Sequence, residues 1–352
     1  MTTQVLVRLR TPLLLCAIAG VVAVAGLAGG PTVERVAVLA LISIVFVTGL
    51  STFSANSGIM SFGHVAFMAL GAYTAAFLTI PVPLKGTLFS QLPEPMSFLR
   101  ELQSSFVVAV VVGGLVAAVL GLITAPGIAR LSGLQSGIAT LAVLMVTYNV
   151  LSSWTSVTRG SSSMIGIPQA TTLWSGLGFA VAAIIVAWAY QSSRSGLQLR
   201  ASREDYWASV ASGVSVGRHR ATAWVLSAFL CGAAGALYAS FITSFNVSVF
   251  FLSTTFSFIV MVVLGGYLSL SGAVLGAVGV SLLQEVLRRF QDGQFTGGSA
   301  LPAGVADLML AALLLVVLIK FPLGLMGSGE LGQRGRQQQT DEVEPQPEGA
   351  SA

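Results

Sequence analysis

The chain has 352 residues, 55% of them hydrophobic and only 9% charged, with a mean hydropathy of +0.86 and a formal charge of +4. Soluble domains carry roughly a quarter charged residues, so water is excluded as the solvent for most of this sequence. The 17 Lys and Arg are scattered between apolar runs and form no block, which argues against a nucleic-acid surface and makes them loop charges that orient spans.

A helix crossing a bilayer needs about 20 mostly apolar residues, and lipid does not tolerate open sheet edges, so long apolar runs read as helices. Such runs fall at 12–30, 33–53, 61–80, 106–125, 131–152, 172–190, 221–243, 253–270, 272–288 and 301–320. The expected fold is an all-α polytopic membrane protein with about ten transmembrane helices, and eight at the fewest. The weakest boundary lies between 253–270 and 272–288, where one half could be re-entrant. Residues 1–326 form one transmembrane domain, and Cys16 and Cys231, both inside apolar runs, read as small buried hydrophobes.

At the start, Arg8 and Arg10 precede the first run. They either hold the amino terminus inside or, with Ala23, Ala25 and Gly26 beyond, flank a signal peptide. The inside placement puts Arg130, the Arg cluster of 191–220, Lys320, Arg334 and Arg336 in the cytoplasm, with Arg288 and Arg289 as outward exceptions. Both termini are then cytoplasmic.

The third run opens with His64 in a turn rich in Ser and Gly. An ionisable group in a span is a functional candidate by default, and a histidine that only fixes the turn is its alternative. Gly58, Ser61 and Gly63 could leave backbone groups free for a zwitterionic solute, or serve close packing. With Thr140 in the fifth run, these residues make up the candidate substrate pathway. The loop 158–168 is dense in Ser and Gly, and is either part of an outer mouth or an ordinary flexible turn.

The stretch 191–220 is the longest polar interruption before the tail. Ser202-x-x-Asp205 is a capping-box pattern and Gly213 stands where a helix over 203–212 would end. Trp207, Val210, Ala211 and Val214 recur at helical spacing as one apolar stripe, while Arg203, Glu204, Ser209 and Ser212 lie elsewhere. So short a helix does not persist alone in water, and it needs the membrane interface or a groove in a partner protein. Small residues such as Ala208, Ser209 and Ala211 suit close approach of another chain.

Later, Glu285 stands three and four residues before Arg288 and Arg289, the spacing of a helical ion pair, whereas Asp307 has no local partner. From 327 to 352 the chain is rich in Gln, Glu, Gly and Pro and reads as a disordered cytoplasmic tail.

The run 199–240, LRASREDYWASVASGVSVGRHRATAWVLSAFLCGAAGALYAS, resembles the cytoplasmic loop and following span of the branched-chain amino acid ABC permease family. Ala208 and Gly213 fall on the small residue and glycine of that family's loop motif. Tyr206 and Trp207 replace its acidic residue, and Ser209 its second alanine. Further resemblances follow in order: 56–76, NSGIMSFGHVAFMALGAYTAA; 138–143, IATLAV; 158–168, TRGSSSMIGIP; 261–277, MVVLGGYLSLSGAVLGA; and 321–327, FPLGLMG.

The resemblance implies a permease subunit of an importer for branched-chain amino acids or a similar small polar solute, with no cofactor of its own. Its implied partners are cytoplasmic ATPase subunits that use ATP, a second homologous permease, an extracytoplasmic substrate-binding protein and membrane lipid. The ATPase-coupling loop would comprise Ser202, Arg203, Glu204, Asp205, Trp207, Ala208, Ser209 and Gly213. No Walker A pattern occurs in the chain. The alternatives are a permease for urea or short amides, an ion-coupled secondary transporter, and an intramembrane enzyme, for which two histidines are a poor basis.

Overall fold

The computed structural model describes residues 2–89, 93–94, 97–292, 302, 304–320, 324–327 and 329–331. In chain order the helices are α1 (Thr2–Ala28), α2 (Gly30–Ser57), α3 (His64–Thr79), α4 (Val82–Leu88), α5 (Phe98–Glu101), α6 (Phe106–Arg130), α7 (Gly133–Ser153) and α8 (Thr155–Thr158). They continue with α9 (Leu173–Ser192), α10 (Arg194–Glu204), α11 (Tyr206–Ala211), α12 (Val216–Ile242), α13 (Leu252–Gly265), α14 (Leu270–Gln291) and α15 (Val305–Lys320). A 3-10 turn at Val247–Phe250 leads into α13.

The protein is an all-α polytopic membrane protein. Each of the ten apolar runs contains a helix, but the expected count of about ten full spans is corrected. Seven described helices are long and apolar enough to cross a membrane, or eight if α3 and α4, bent by 117° at their junction, count as one. The shortfall has local causes. α3 cannot start before His64 because 58–63 is not helical, and it ends at Ile80 before Pro81. α13 stops after 14 residues at Gly266, whose φ of 123° no other residue adopts comfortably. α15 has 16 residues.

The core is built on α12, which packs chiefly against α6, α3 and α2. Small residues make this possible: a Cβ on Gly71 of α3 would lie 1.9 Å from the Gly232 carbonyl oxygen of α12, and one on Gly235 the same distance from that of Met68. Lipid supplies no hydrophobic drive between helices, so contact at backbone distance is what holds them together. From Ala37 onward α2 is almost wholly buried, whereas α6 turns Val107, Val111, Leu115, Leu122 and Ile123 outward.

Lys85 of α4 is buried, and its Nζ donates to the carbonyl of Leu102 at 2.5 Å. The predicted tail begins with residues that are docked, since Gly329 and Glu330 are buried and Leu331 is half-buried. Its remainder, 332–352, lies outside the described residues.

Candidate coupling site and membrane-embedded polar cluster

The loop 191–220 folds as two short helices rather than one. α10 runs straight through Ser202, whose Oγ donates to the Leu199 carbonyl at 2.7 Å and caps nothing. The break comes at Asp205, extended at φ −141° and ψ 108°, whose carboxylate accepts from the Ala208 amide at 2.9 Å. The predicted capping box is therefore corrected: Asp205 is the N-cap of α11. Asp caps as well as Ser, and here Ser202 already belongs to the preceding helix.

The other end forms as expected. Gly213 takes φ 80°, its amide donates to Val210 O and the Val214 amide to Ser209 O, which is a Schellman closure. Between these stops Ser209 points inward, while Tyr206, Trp207, Ala208, Val210 and Ala211 are exposed, Trp207 at 78%.

The loop is anchored to the bundle on two sides. Tyr190 Oη donates to the His219 carbonyl, and Arg200 Nη2 to that of Gln191 at 2.7 Å. Burial lowers the Arg200 pKa from its ordinary value; the charge of Glu330 opposes the fall and that of Arg203 adds to it. Arg203 pairs with Glu204 at 2.6 Å, and its Nη1 donates to the Ala55 carbonyl at the end of α2 at 2.7 Å.

That last bond brings the two sequence-predicted sites together. Gly58, with φ 71°, closes α2, and a Cβ on it would lie 2.6 Å from Arg203 Cγ. Beyond it, Gly63 sits under α7, where a Cβ would come within 2.5 Å of the Thr140 carbonyl oxygen. Thr140 Oγ1 accepts from the Phe62 amide and donates to the Gly137 carbonyl. Half-buried Gly58 and buried Ser61, Gly63, His64 and Thr140 thus form one connection from the loop to α7 and α3.

His64 is its innermost member. Ser227 Oγ donates to the Gly49 carbonyl, so it accepts from His64 Nε2–H, and Nδ1 accepts from Ser61 Oγ at 2.8 Å. This fixes the neutral Nε2–H tautomer and satisfies both nitrogens. The rings of Trp224, Phe67 and Phe53 surround the imidazole at 4.9, 5.7 and 5.9 Å. Nearby on α2, Ser54 Oγ and Asn56 Oδ1 are buried without a protein partner, a feature the sequence reading passed over.

At the opposite end of α2 a cavity of about 470 Å³ is lined by Glu34, Arg35, Gln169, Thr171, Thr172 and Thr243, among others. The neighbouring loop 158–168 is tied down, since Met164 pairs with Phe245 and Asn246 donates to the Ser161 carbonyl. Glu285 bonds both Arg288 and Arg289, as its spacing predicts. The side chain of Asp307 lies outside the described residues. Among the described residues no group of three or more His, Cys, Asp or Glu gathers to hold a metal.

Comparison with known proteins points one way. The profile of the family described as "Branched-chain amino acid transport system / permease component" matches residues 32–318. The high-affinity branched-chain amino acid transport system permease protein LivM of Escherichia coli is 25% identical over 327 residues, covering 83% of this chain and 69% of that protein. Its counterpart in Salmonella typhimurium is 24% identical over the same extent. No solved structure matches the chain.

Proposed function

The chain belongs to the branched-chain amino acid ABC transporter permease family, and from that premise we propose that it passes leucine, isoleucine, valine or a similar small polar solute across the inner membrane, driven by separate cytoplasmic ATPase subunits. It is a permease subunit and not an enzyme. In this reading 191–220 and both termini face the cytoplasm. The cavity beside Glu34 and Arg35 faces outward, toward a substrate-binding protein, and a second, similar permease completes the pathway. α3 with α4 makes one bent crossing, α13 and α14 cross as a hairpin, and α15 is the last crossing.

The observation that carries the proposal is the exposed face of α11, on a loop whose Arg203 is bonded to the end of α2. A helix of six residues has no stability of its own, so an apolar face held outward on rigid supports fits a groove in a partner. An ATPase that grips this face differently in its open and closed states would move α2, and through the 58–64 connection α3 and α7. His64, with both ring nitrogens bonded, has a structural part in that connection, and the free oxygens of Ser54 and Asn56 are the candidates for meeting solute.

An ion-coupled carrier needs free acids in its spans, and paired Glu285 is a poor candidate. The test is uptake of radiolabelled leucine into proteoliposomes. Uptake that requires the ATPase subunits and ATP is expected, and uptake by this chain on an ion gradient alone would overturn the reading. Crosslinking from Ala208 should capture an ATPase subunit, and capture of lipid alone would return α11 to the membrane interface.

A further inference from the structure

α13 and α14 are joined by the short break 266–269, which leaves the last carbonyls of α13 and the first amides of α14 without partners inside a helix. One short stretch of chain meets both sets. The amides of Leu325 and Met326 donate to the carbonyls of Leu264 and Gly265 at the end of α13, at 2.9 and 3.0 Å. The Glu330 carboxylate enters the start of α14, where it accepts from the amides of Leu270 and Ser271, both at 3.0 Å, and from the hydroxyls of Ser269 and Ser271. An anion at a helix N-terminus is held by those amides and by the helix dipole together.

Capping accounts for these bonds but not for the remaining one. Glu330 Oε1 also accepts from Gln191 Nε2 at 2.9 Å, in the last turn of α9, where the coupling loop begins. The Gln191 carbonyl in turn accepts from Arg200 of α10. A continuous line of hydrogen bonds therefore runs from α10 through Gln191 and Glu330 to α14. At its far end α13 and α14 form a stiff hairpin: a Cβ on Gly265 would lie 1.8 Å from the Gly272 carbonyl oxygen, and one on Gly276 as near to that of Met261. Displacing the start of α14 displaces the pair.

We propose that the described residues of 324–331 form a second transmission strap, in which Glu330 carries movement of the coupling loop through Gln191 to the α13–α14 pair. Helix ends inside a membrane protein can offer their free backbone groups to solute or ions. Here the chain's own carboxylate takes them, which reserves this break for movement. The proposal rests on 191–220 being the ATPase-coupling loop.

The test uses the complete transporter in proteoliposomes, with leucine uptake and ATP hydrolysis measured in the same preparation. Gln191→Ala cuts the line while leaving α14 capped. Uptake per ATP hydrolysed should fall about tenfold, as loss of one hydrogen bond to a charged group implies, with a melting temperature in detergent lowered less than in Glu330→Gln, because the α14 cap stays in place. Glu330→Gln should lower the same ratio and the melting temperature together. An unchanged ratio in Gln191→Ala would overturn the strap and leave Glu330 a cap. If wild-type uptake needs no ATPase, the coupling reading fails first, and the wild-type control alone reveals that.

Discussion

Arg203 reaches out of the polar loop to donate from Nη1 to the carbonyl of Ala55 at 2.7 Å, while its Cγ occupies the space a side chain at Gly58 would need. The bond satisfies one of the carbonyls left over at the end of α2, and the Arg203 side chain is only 18% exposed, so water competes weakly for it. A hydrogen bond to a charged group contributes roughly 1.5–3 kcal/mol. Arg203→Ala should insert normally yet lose about tenfold in leucine uptake per ATP hydrolysed. Retained coupling in that variant would show that the loop drives the bundle by another route.

Gly213 tests the loop from its other end. Nothing lies within 4 Å of where its Cβ would be, so any penalty there is conformational and not steric. Its φ of 80° costs a β-branched residue roughly 1–2 kcal/mol, while Asn enters that region readily. Gly213→Asn should therefore transport nearly as the wild type does, whereas Gly213→Val should splay the end of α11 and uncouple hydrolysis from uptake. Equal activity of the two variants would separate the Schellman closure from function.

The sequence disclosed the helices, the loop and the glycine stop because each is written in a local code: apolar runs, a polar break, a residue that permits positive φ. Ser202 misled because its capping pattern is local too, and only α10 arriving from Arg194 shows that Ser202 is already inside a helix. His64 could be flagged but not interpreted, since the acceptor of its Nε2–H is Ser227, 163 residues away. Glu330 gave no signal. It sits in a stretch whose composition reads as disordered, and its partners Leu270 and Ser271 lie 60 and 59 residues earlier. Contacts set by tertiary return of the chain leave no periodicity to find.

His64 should behave as a structural group. Gln can donate and accept along a similar reach, so His64→Gln should keep most stability and leave the apparent KM for leucine unchanged. His64→Leu takes one hydrogen-bond partner from each of Ser61 and Ser227, which keep their bonds to the Gly63 amide and the Gly49 carbonyl, at a cost of about 0.5–1.5 kcal/mol for each bond lost, and should lower the melting temperature in detergent. A large change in KM with stability intact would move His64 onto the solute path.

The contact between α3 and α12 offers a steric test with its control in the same chain. At Gly71 an added methyl would meet the Gly232 carbonyl oxygen at 1.9 Å, a backbone atom that cannot swing aside. The helices would have to part along a contact with no hydrophobic drive to close it again. Gly279 in α14 has nothing within 4 Å of its Cβ position, so the same change there adds a methyl to open space and relieves a glycine of its helix penalty. Gly71→Ala should thus cost about 1–3 kcal/mol, as overpacking generally does, and depress both the melting temperature and the yield of folded protein. Gly279→Ala should be neutral or slightly stabilising by the same assays. Because the two variants differ only in what surrounds the methyl, equal melting temperatures would mean that α3 and α12 do not touch at backbone distance, and the core built on α12 would have to be redrawn.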